Sequence, residues 1–165
     1  MLRVYTSVRP GLRVLDVGCG RGRLAAHMAA WGLTVTGYNF SRVAIEDAQT
    51  KHSPLWEELT FVRHEFNTDP IPPDLRPNSV DVITCRHSLE FLEQTRFLTD
   101  AARWLVPGGA LQVTTYVSDH QAPTAPQHGL STARINALRD CWGRSATYGL
   151  DNEGTLIGIV LRDPQ

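Results

Sequence analysis

The chain has no excess of charge of either sign. Its 165 residues carry 16 Lys plus Arg against 17 Asp plus Glu, a formal net charge of −1. A protein that lives on the electrostatics of nucleic acid needs a strong basic excess, so that class is excluded. No apolar run reaches the roughly 18 residues that a membrane-spanning helix requires. The opening Met1-Leu2-Arg3-Val4-Tyr5-Thr6 lacks the long apolar core of a signal peptide. Cysteine is scarce: Cys19, Cys85 and Cys141 are odd in number and widely spaced. This excludes a disulfide scaffold and a Cys-rich zinc or iron–sulfur site, and leaves reduced, mostly buried thiols in a cytoplasmic protein as the expectation. Internal repeats and low-complexity tracts are also missing. What remains is one globular domain spanning 1–165, long enough to bury about two-thirds of its unfolded surface without a disulfide or metal staple.

Strand and helix patterns alternate along the chain. Arg13–Val17 is a short apolar run ending at glycines, which predicts a buried strand. Leu24, Ala25, Met28 and Ala29 recur at helical spacing over 22–31, with Gly32 as the stop. A second strand is expected at Thr34–Tyr38, and Ser41 is placed to cap a helix holding Val43, Ala44, Ile45 and Ala48. A third strand is expected over Thr60–Phe66 and a fourth over Val80–Cys85. Phe97, Leu98, Ala101, Ala102 and Leu105 predict the inward face of a helix over Thr95–Leu105, which Pro107-Gly108-Gly109 ends before a fifth strand at Ala110–Val117. Ser131 should cap a helix running through Trp142, with Ile135, Leu138, Cys141 and Trp142 on one face. The tail reads as a hairpin, Ala146–Leu150 and Thr155–Leu161, around the turn Asp151-Asn152-Glu153-Gly154. Two proline-rich stretches, Asp69–Pro73 and Ala122–Gly129, read as loops. The order predicts an α/β, Rossmann-like three-layer sandwich. Its sheet is mostly parallel and seven-stranded, with an antiparallel C-terminal hairpin, and ligands should sit outside the C-terminal strand ends.

The chemistry is concentrated where the first strand ends, in Asp16-Val17-Gly18-Cys19-Gly20-Arg21-Gly22. Glycines there allow a tight turn and close backbone approach to a ligand. The dinucleotide fingerprint G-x-G-x-x-G fits at Gly18 and Gly20 but fails at Arg23. This string resembles motif I of the Rossmann-like (class I) S-adenosylmethionine-dependent methyltransferases. Four further segments resemble that family in the same order: Leu33–Ser41, Phe61–Phe66, Asn78–Ile83 with the following Cys85–Phe91, and Leu105–Leu111 with its Pro-Gly-Gly.

The resemblance implies S-adenosylmethionine as cofactor. It places the loop of Gly18, Cys19, Gly20 and Gly22 under the methionine part, and has Asp16 fix the cofactor amino group or the loop. Asn39 stands where the family usually carries an acid that accepts both ribose hydroxyls; it offers a neutral carbonyl acceptor instead. Phe40 is a wall for the adenine or plain core. Glu65 replaces the family's usual Asp near the adenine amino group, and the backbone at Phe66 would meet the ring edge. Arg86 and His87 follow strand four at the mouth of the site, where backbone groups often meet the cofactor. His87 is the candidate general base, because its ordinary pKa lies near neutrality; His120 is the second candidate, and His52, His64 and the others read as surface. The sulfonium is already a good leaving group, and holding a nucleophile in line supplies roughly 7–11 kcal/mol, so no catalytic triad is required.

The expected function is transfer of the methyl group of S-adenosylmethionine to a small-molecule nucleophile by direct in-line displacement. The alternative is a non-catalytic methyltransferase-like scaffold or regulatory subunit, motivated by Asn39, by Glu65 and by a first strand starting near residue 13 with no N-terminal cap. A nicotinamide-dependent oxidoreductase is disfavoured by Arg23 and Asn39. Cys85-Arg86-His87-Ser88 lacks the Asp/Asn-Pro-Pro segment of exocyclic-amine enzymes and the Pro-Cys of cytosine enzymes. Acids do not cluster after strands four and five, so no metal is expected. Without a cap the cleft should be open on one side. A second copy, a partner subunit, a large substrate or the proline-rich 118–129 loop would then have to exclude water.

Overall fold

The computed structural model describes Thr6, residues 8–121 and residues 128–165. Seven strands form one sheet: β1 Arg13–Val17, β2 Thr34–Asn39, β3 Leu59–Arg63, β4 Val80–Arg86, β5 Leu105–Tyr116, β6 Trp142–Gly149 and β7 Leu156–Pro164. Their order is β3-β2-β1-β4-β5-β7-β6. The pairs from β3 to β5 are parallel, and β7 is antiparallel to both β5 and β6. The chain steps outward from β1 to β2 and β3, then returns to the other side of β1 with β4. That reversal opens a crevice beyond the C-terminal ends of β1 and β4.

Among the described residues, four α-helices cover the two faces: α1 Arg23–Ala29, α2 Arg42–His52, α3 Gln94–Trp104 and α4 Thr132–Asp140. Strand side chains alternate between faces, so neighbours in sequence enter different cores. Val14, Val35 and Val82 pack with Met28 and Ala48 of α1 and α2. Leu15, Ile83 and Leu111 pack with Phe97 and Trp104 of α3 and with Ile135 and Leu138 of α4. The result is the α/β three-layer sandwich with an antiparallel C-terminal hairpin that the residue pattern implied. Ser41 caps α2, its hydroxyl accepting from the Ala44 amide. Ser131 caps α4 in the same way, accepting from the Arg134 amide.

Several boundaries differ from the sequence expectations. β3 stops at Arg63, because His64 to Phe66 lie past the end of β2, whose Asn39 pairs with Arg63. The Pro-Gly-Gly segment does not separate α3 from β5. Leu105 already pairs with Val80, and the register then jumps to Ala110 opposite Val82, so residues 106–109 are a bulge inside the strand. Trp142 opens β6 opposite Pro164 rather than closing α4, and is buried there. Cys141 is exposed and Cys19 half-buried, so only Cys85 is fully enclosed. Residues 122–127, including Pro123 and Pro126 of the second proline-rich stretch, lie outside the described residues. No helix among the described residues is long and apolar enough to cross a membrane.

Candidate functional site

The turn after β1 is held tightly from behind. The amides of Gly18 and Cys19 both donate to the Tyr38 carbonyl, at 2.9 and 3.0 Å. Gly18, Gly20 and Gly22 all have positive φ, of 72°, 54° and 79°. At Gly18 a Cβ would sit 2.4 Å from the Ser88 Cβ, and Ser88 cannot retreat because its hydroxyl donates to the Val17 carbonyl at 2.8 Å. This contact locks the loop after β4 against the loop after β1.

Two clefts meet at this junction, sharing Gly18 and His87 as walls. The larger, about 370 Å³, is bordered by Asn39 and Phe40 after β2, by His64, Glu65 and Phe66 after β3, and by Phe91. The smaller, about 220 Å³, is bordered by Asp16, Cys19, Arg21 and Arg86. Residues that are far apart in sequence are therefore gathered along one trough.

Asp16 is the electrostatic centre of the smaller cleft. It is 1% exposed. Its Oδ1 accepts from the Thr84 hydroxyl at 2.7 Å, but Oδ2 is enclosed with no partner among the described residues. Burial pushes its carboxyl up to about 6, with the Thr84 hydrogen bond and the Arg86 charge pulling the other way. A buried carboxylate oxygen without a donor is costly and asks for a cationic or N–H partner. Burial also raises the Cys19 thiol far above its ordinary value, so Cys19 is not a nucleophile at neutral pH.

His87 stands between the clefts in the left-handed region, at φ 52°. Its amide donates to the Thr114 carbonyl at 2.8 Å, and its ring stacks on Tyr116 with centroids 5.1 Å apart. Nδ1 is enclosed without a partner among the described residues, which leaves Nε2 as the nitrogen able to exchange a proton. Burial and the adjacent Arg86 charge hold His87 below its ordinary pKa, against a weaker pull from Glu90, so the ring is neutral at pH 7. His120 is engaged elsewhere, its Nδ1 lying 3.0 Å from the Gly154 carbonyl.

At the rim, Phe40 and Phe91 are 64% and 62% exposed. Asn67 holds the Phe91 side in place: its Nδ2 donates to the Phe91 carbonyl at 2.9 Å and its Oδ1 accepts from the Glu93 amide at 2.7 Å. Glu65 Oε1 accepts from the Asn67 amide at 3.2 Å.

His64 is the residue that sequence reasoning misplaced. It is 8% exposed rather than on the surface, and packs edge-on to Phe66 and Tyr38 with centroids 4.5 and 5.7 Å away. Its Nδ1 lies 3.8 Å from Asp69 Oδ2. The alternation Val62, His64, Phe66, which carries the inward face past the strand end, was the available signal.

A glycine cradle at a switch point, with an unsatisfied buried carboxylate beside it and an aromatic-rimmed cleft beyond, defines a Rossmann-like site for an extended ligand with a cationic end and a planar end. The chain belongs to the methyltransferase family whose model, described as a methyltransferase domain, matches residues 15–113; this is the class I family whose cofactor is S-adenosylmethionine. Over 106 residues, 64% of this chain, it is 37% identical to the mitochondrial ubiquinone biosynthesis O-methyltransferase of Schizosaccharomyces pombe, covering 38% of that protein. It is 33% identical over 106 residues, again 64% of this chain, to the ubiquinone biosynthesis O-methyltransferase of Vibrio cholerae, covering 42% of that protein. The chain thus spans about two-fifths of the length of these curated relatives. Among solved structures, phosphoethanolamine N-methyltransferase 2 of Haemonchus contortus, in complex with phosphomonomethylethanolamine and S-adenosylhomocysteine, shares the fold with a TM-score of 0.77. The identity is 16%, covering 99% of this chain and 51% of that one.

The residues present fit the family's cofactor. The orphaned Asp16 Oδ2 suits an ammonium group, and the loop that Ser88 closes from behind admits no side chain at Gly18.

Proposed function

We propose that this chain transfers the methyl group of S-adenosylmethionine to a small-molecule nucleophile by direct in-line displacement, and that the acceptor atom is a hydroxyl oxygen. The observation that carries the reading is Asp16, whose enclosed and partnerless Oδ2 lies beside the glycine turn. The names of the two relatives above, both O-methyltransferases, favour oxygen as the acceptor. Three free thiols support a reducing, cytoplasmic setting.

When bound, the cofactor supplies an electrophilic methyl carbon on a sulfonium leaving group. Asp16 would hold the ammonium end through Oδ2, and the loop from Gly18 to Gly22 would receive the methionine part. Phe40, Glu65 and Phe66 would border the nucleoside in the larger cleft, and Arg86 lines the smaller one. His87, neutral at pH 7, would take the proton of the acceptor hydroxyl at Nε2. Among the described residues the exposed Phe40 and Phe91 leave the cleft open at its rim, and the acceptor itself, a second copy or a partner subunit would add to the exclusion of water.

The direct test is S-adenosylhomocysteine formation with a panel of phenols, catechols, amines and thiols. Turnover with hydroxyl acceptors is expected; turnover confined to amines or thiols, or none with any acceptor, contradicts the reading. His87→Gln should lower kcat by about 10²–10⁴ while leaving S-adenosylhomocysteine affinity nearly unchanged. The lowered pKa means that the base form is fully present at neutral pH. Wild-type kcat should therefore fall only on acidification below the ordinary histidine range, and the variant should lose that limb of the profile. A variant with full activity and an unchanged pH profile removes His87 from the mechanism.

A further inference from the structure

Building on the nucleoside site proposed above, we propose that Asn39 recognises the ribose as a hydrogen-bond donor, the reverse of the acceptor role of the acid it replaces. The sequence suggests that its carbonyl faces the sugar. The structure turns that carbonyl away: Asn39 Oδ1 accepts from the Ser41 amide at 2.9 Å. A backbone N–H needs an oxygen opposite it, so this bond fixes which end of the amide is which. Nδ2, with two N–H groups, makes no hydrogen bond among the described residues, and Asn39 borders the larger cleft.

The neighbourhood has the same polarity. Asn39 pairs across the sheet with Arg63, and the Arg63 Nε donates to the Phe40 carbonyl at 3.3 Å. The nearest acid on this cleft wall, Glu65, turns its Oε1 to the Asn67 amide. Asn39 Nδ2 is therefore the side-chain donor that the end of β2 offers to the larger cleft.

A carboxylate at this position needs the hydroxyl proton. An N–H donor needs only a lone pair and leaves the proton unused. This difference is a specificity that can be read chemically, because fluorine in place of a hydroxyl keeps a lone-pair atom of similar size, a weak acceptor, and removes the proton.

The test is isothermal titration of wild type and Asn39→Asp with S-adenosylhomocysteine and with its 2′-deoxy-2′-fluoro and 3′-deoxy-3′-fluoro analogues. Asp retains the Ser41 contact through one oxygen, so the variant preserves the local turn. Wild type should bind all three within about threefold, as expected for weak, neutral contacts. Asn39→Asp should bind the parent about tenfold more tightly and reject at least one fluoro analogue by about tenfold or more, since charge-assisted bonds are the stronger kind. Wild type rejecting both fluoro analogues by about tenfold overturns the donor assignment, whatever the variant does. A variant identical to wild type in affinity and selectivity also overturns it, because Asn39 then does not meet the sugar. Failure of wild type to bind any of the three overturns the nucleoside site itself, which is a different result.

Discussion

Asp16→Asn should make the ligand-free protein more stable and strip it of most of its affinity for S-adenosylhomocysteine. Asp16 is buried with one oxygen unsatisfied, and its carboxyl is pushed from 3.8 up to about 6. An acid whose pKa is raised on folding is held in the native state at a cost that appears as pH rises from the unfolded value to the folded value, and is complete above it. That interval corresponds to about 3 kcal/mol, as an order of magnitude. The neutral amide keeps an oxygen for Thr84 and carries no charge, but its NH2 takes the unpartnered Oδ2 position at a cost of about 1–3 kcal/mol, so the melting temperature at neutral pH should rise by only a few degrees. Below about pH 4, where Asp16 is protonated in both states, the gain should vanish. Loss of a charge-assisted contact to the ligand's ammonium should weaken binding by about tenfold to a hundredfold. A variant that is less stable than wild type at neutral pH, or that binds as tightly, refutes the role given to Asp16. Strain accepted in the empty site in exchange for ligand affinity is a common arrangement at functional sites.

Gly22→Ala should be among the most damaging single changes in the protein, and Gly20→Ala among the milder ones. Both glycines have positive φ, which costs an L-residue about 1–2 kcal/mol. Only Gly22 is also crowded. A Cβ there would lie 2.4 Å from the Phe61 ring and 3.0 Å from the Ala48 Cβ. Phe61 is 3% exposed and packs within the core under α1 and α2, so it has nowhere to go. Overpacking adds about 1–3 kcal/mol to the backbone strain, giving a total loss of about 2–5 kcal/mol. At Gly20 a Cβ meets nothing within 4 Å, so the loss should stay near the backbone cost alone. Urea denaturation of both variants checks this, with a shifted midpoint and an unchanged slope expected. Equal losses at the two positions contradict the packing argument.

Much of the fold was legible in the chain because two periodicities do not compete here. The β-branched runs at 13–17 and 80–86 and the helical spacing at Phe97, Ala101 and Trp104 each bury one consistent face. The misses are places where tertiary pairing overrides a local signal. Pro107 and the glycines after it look like a helix terminator, yet Leu105 is already committed to the sheet by its pairing with Val80. Trp142 continues the apolar face of α4 in sequence, but the edge pairing with β7 claims it. At the site, the glycine turn, Asp16 and His87 were visible as residue types. Their states were not: that Asp16 keeps an orphan oxygen, that Asn39 turns its carbonyl to Ser41, and that His64 is enclosed all depend on neighbours between two and 68 positions away.

If the crevice beyond β1 and β4 binds an adenosyl ligand whose ammonium meets Asp16, affinity must follow the protonation of that carboxyl. Calorimetric titration of the wild-type chain with S-adenosylhomocysteine across pH tests this most directly. One site per chain is expected, tight at neutral pH and weakening by up to about tenfold per pH unit below about 6, where proton and ligand compete for Asp16. A folded chain that takes up no S-adenosylhomocysteine at millimolar concentration, or one whose affinity is flat from neutral pH down to the ordinary carboxylate range, contradicts it.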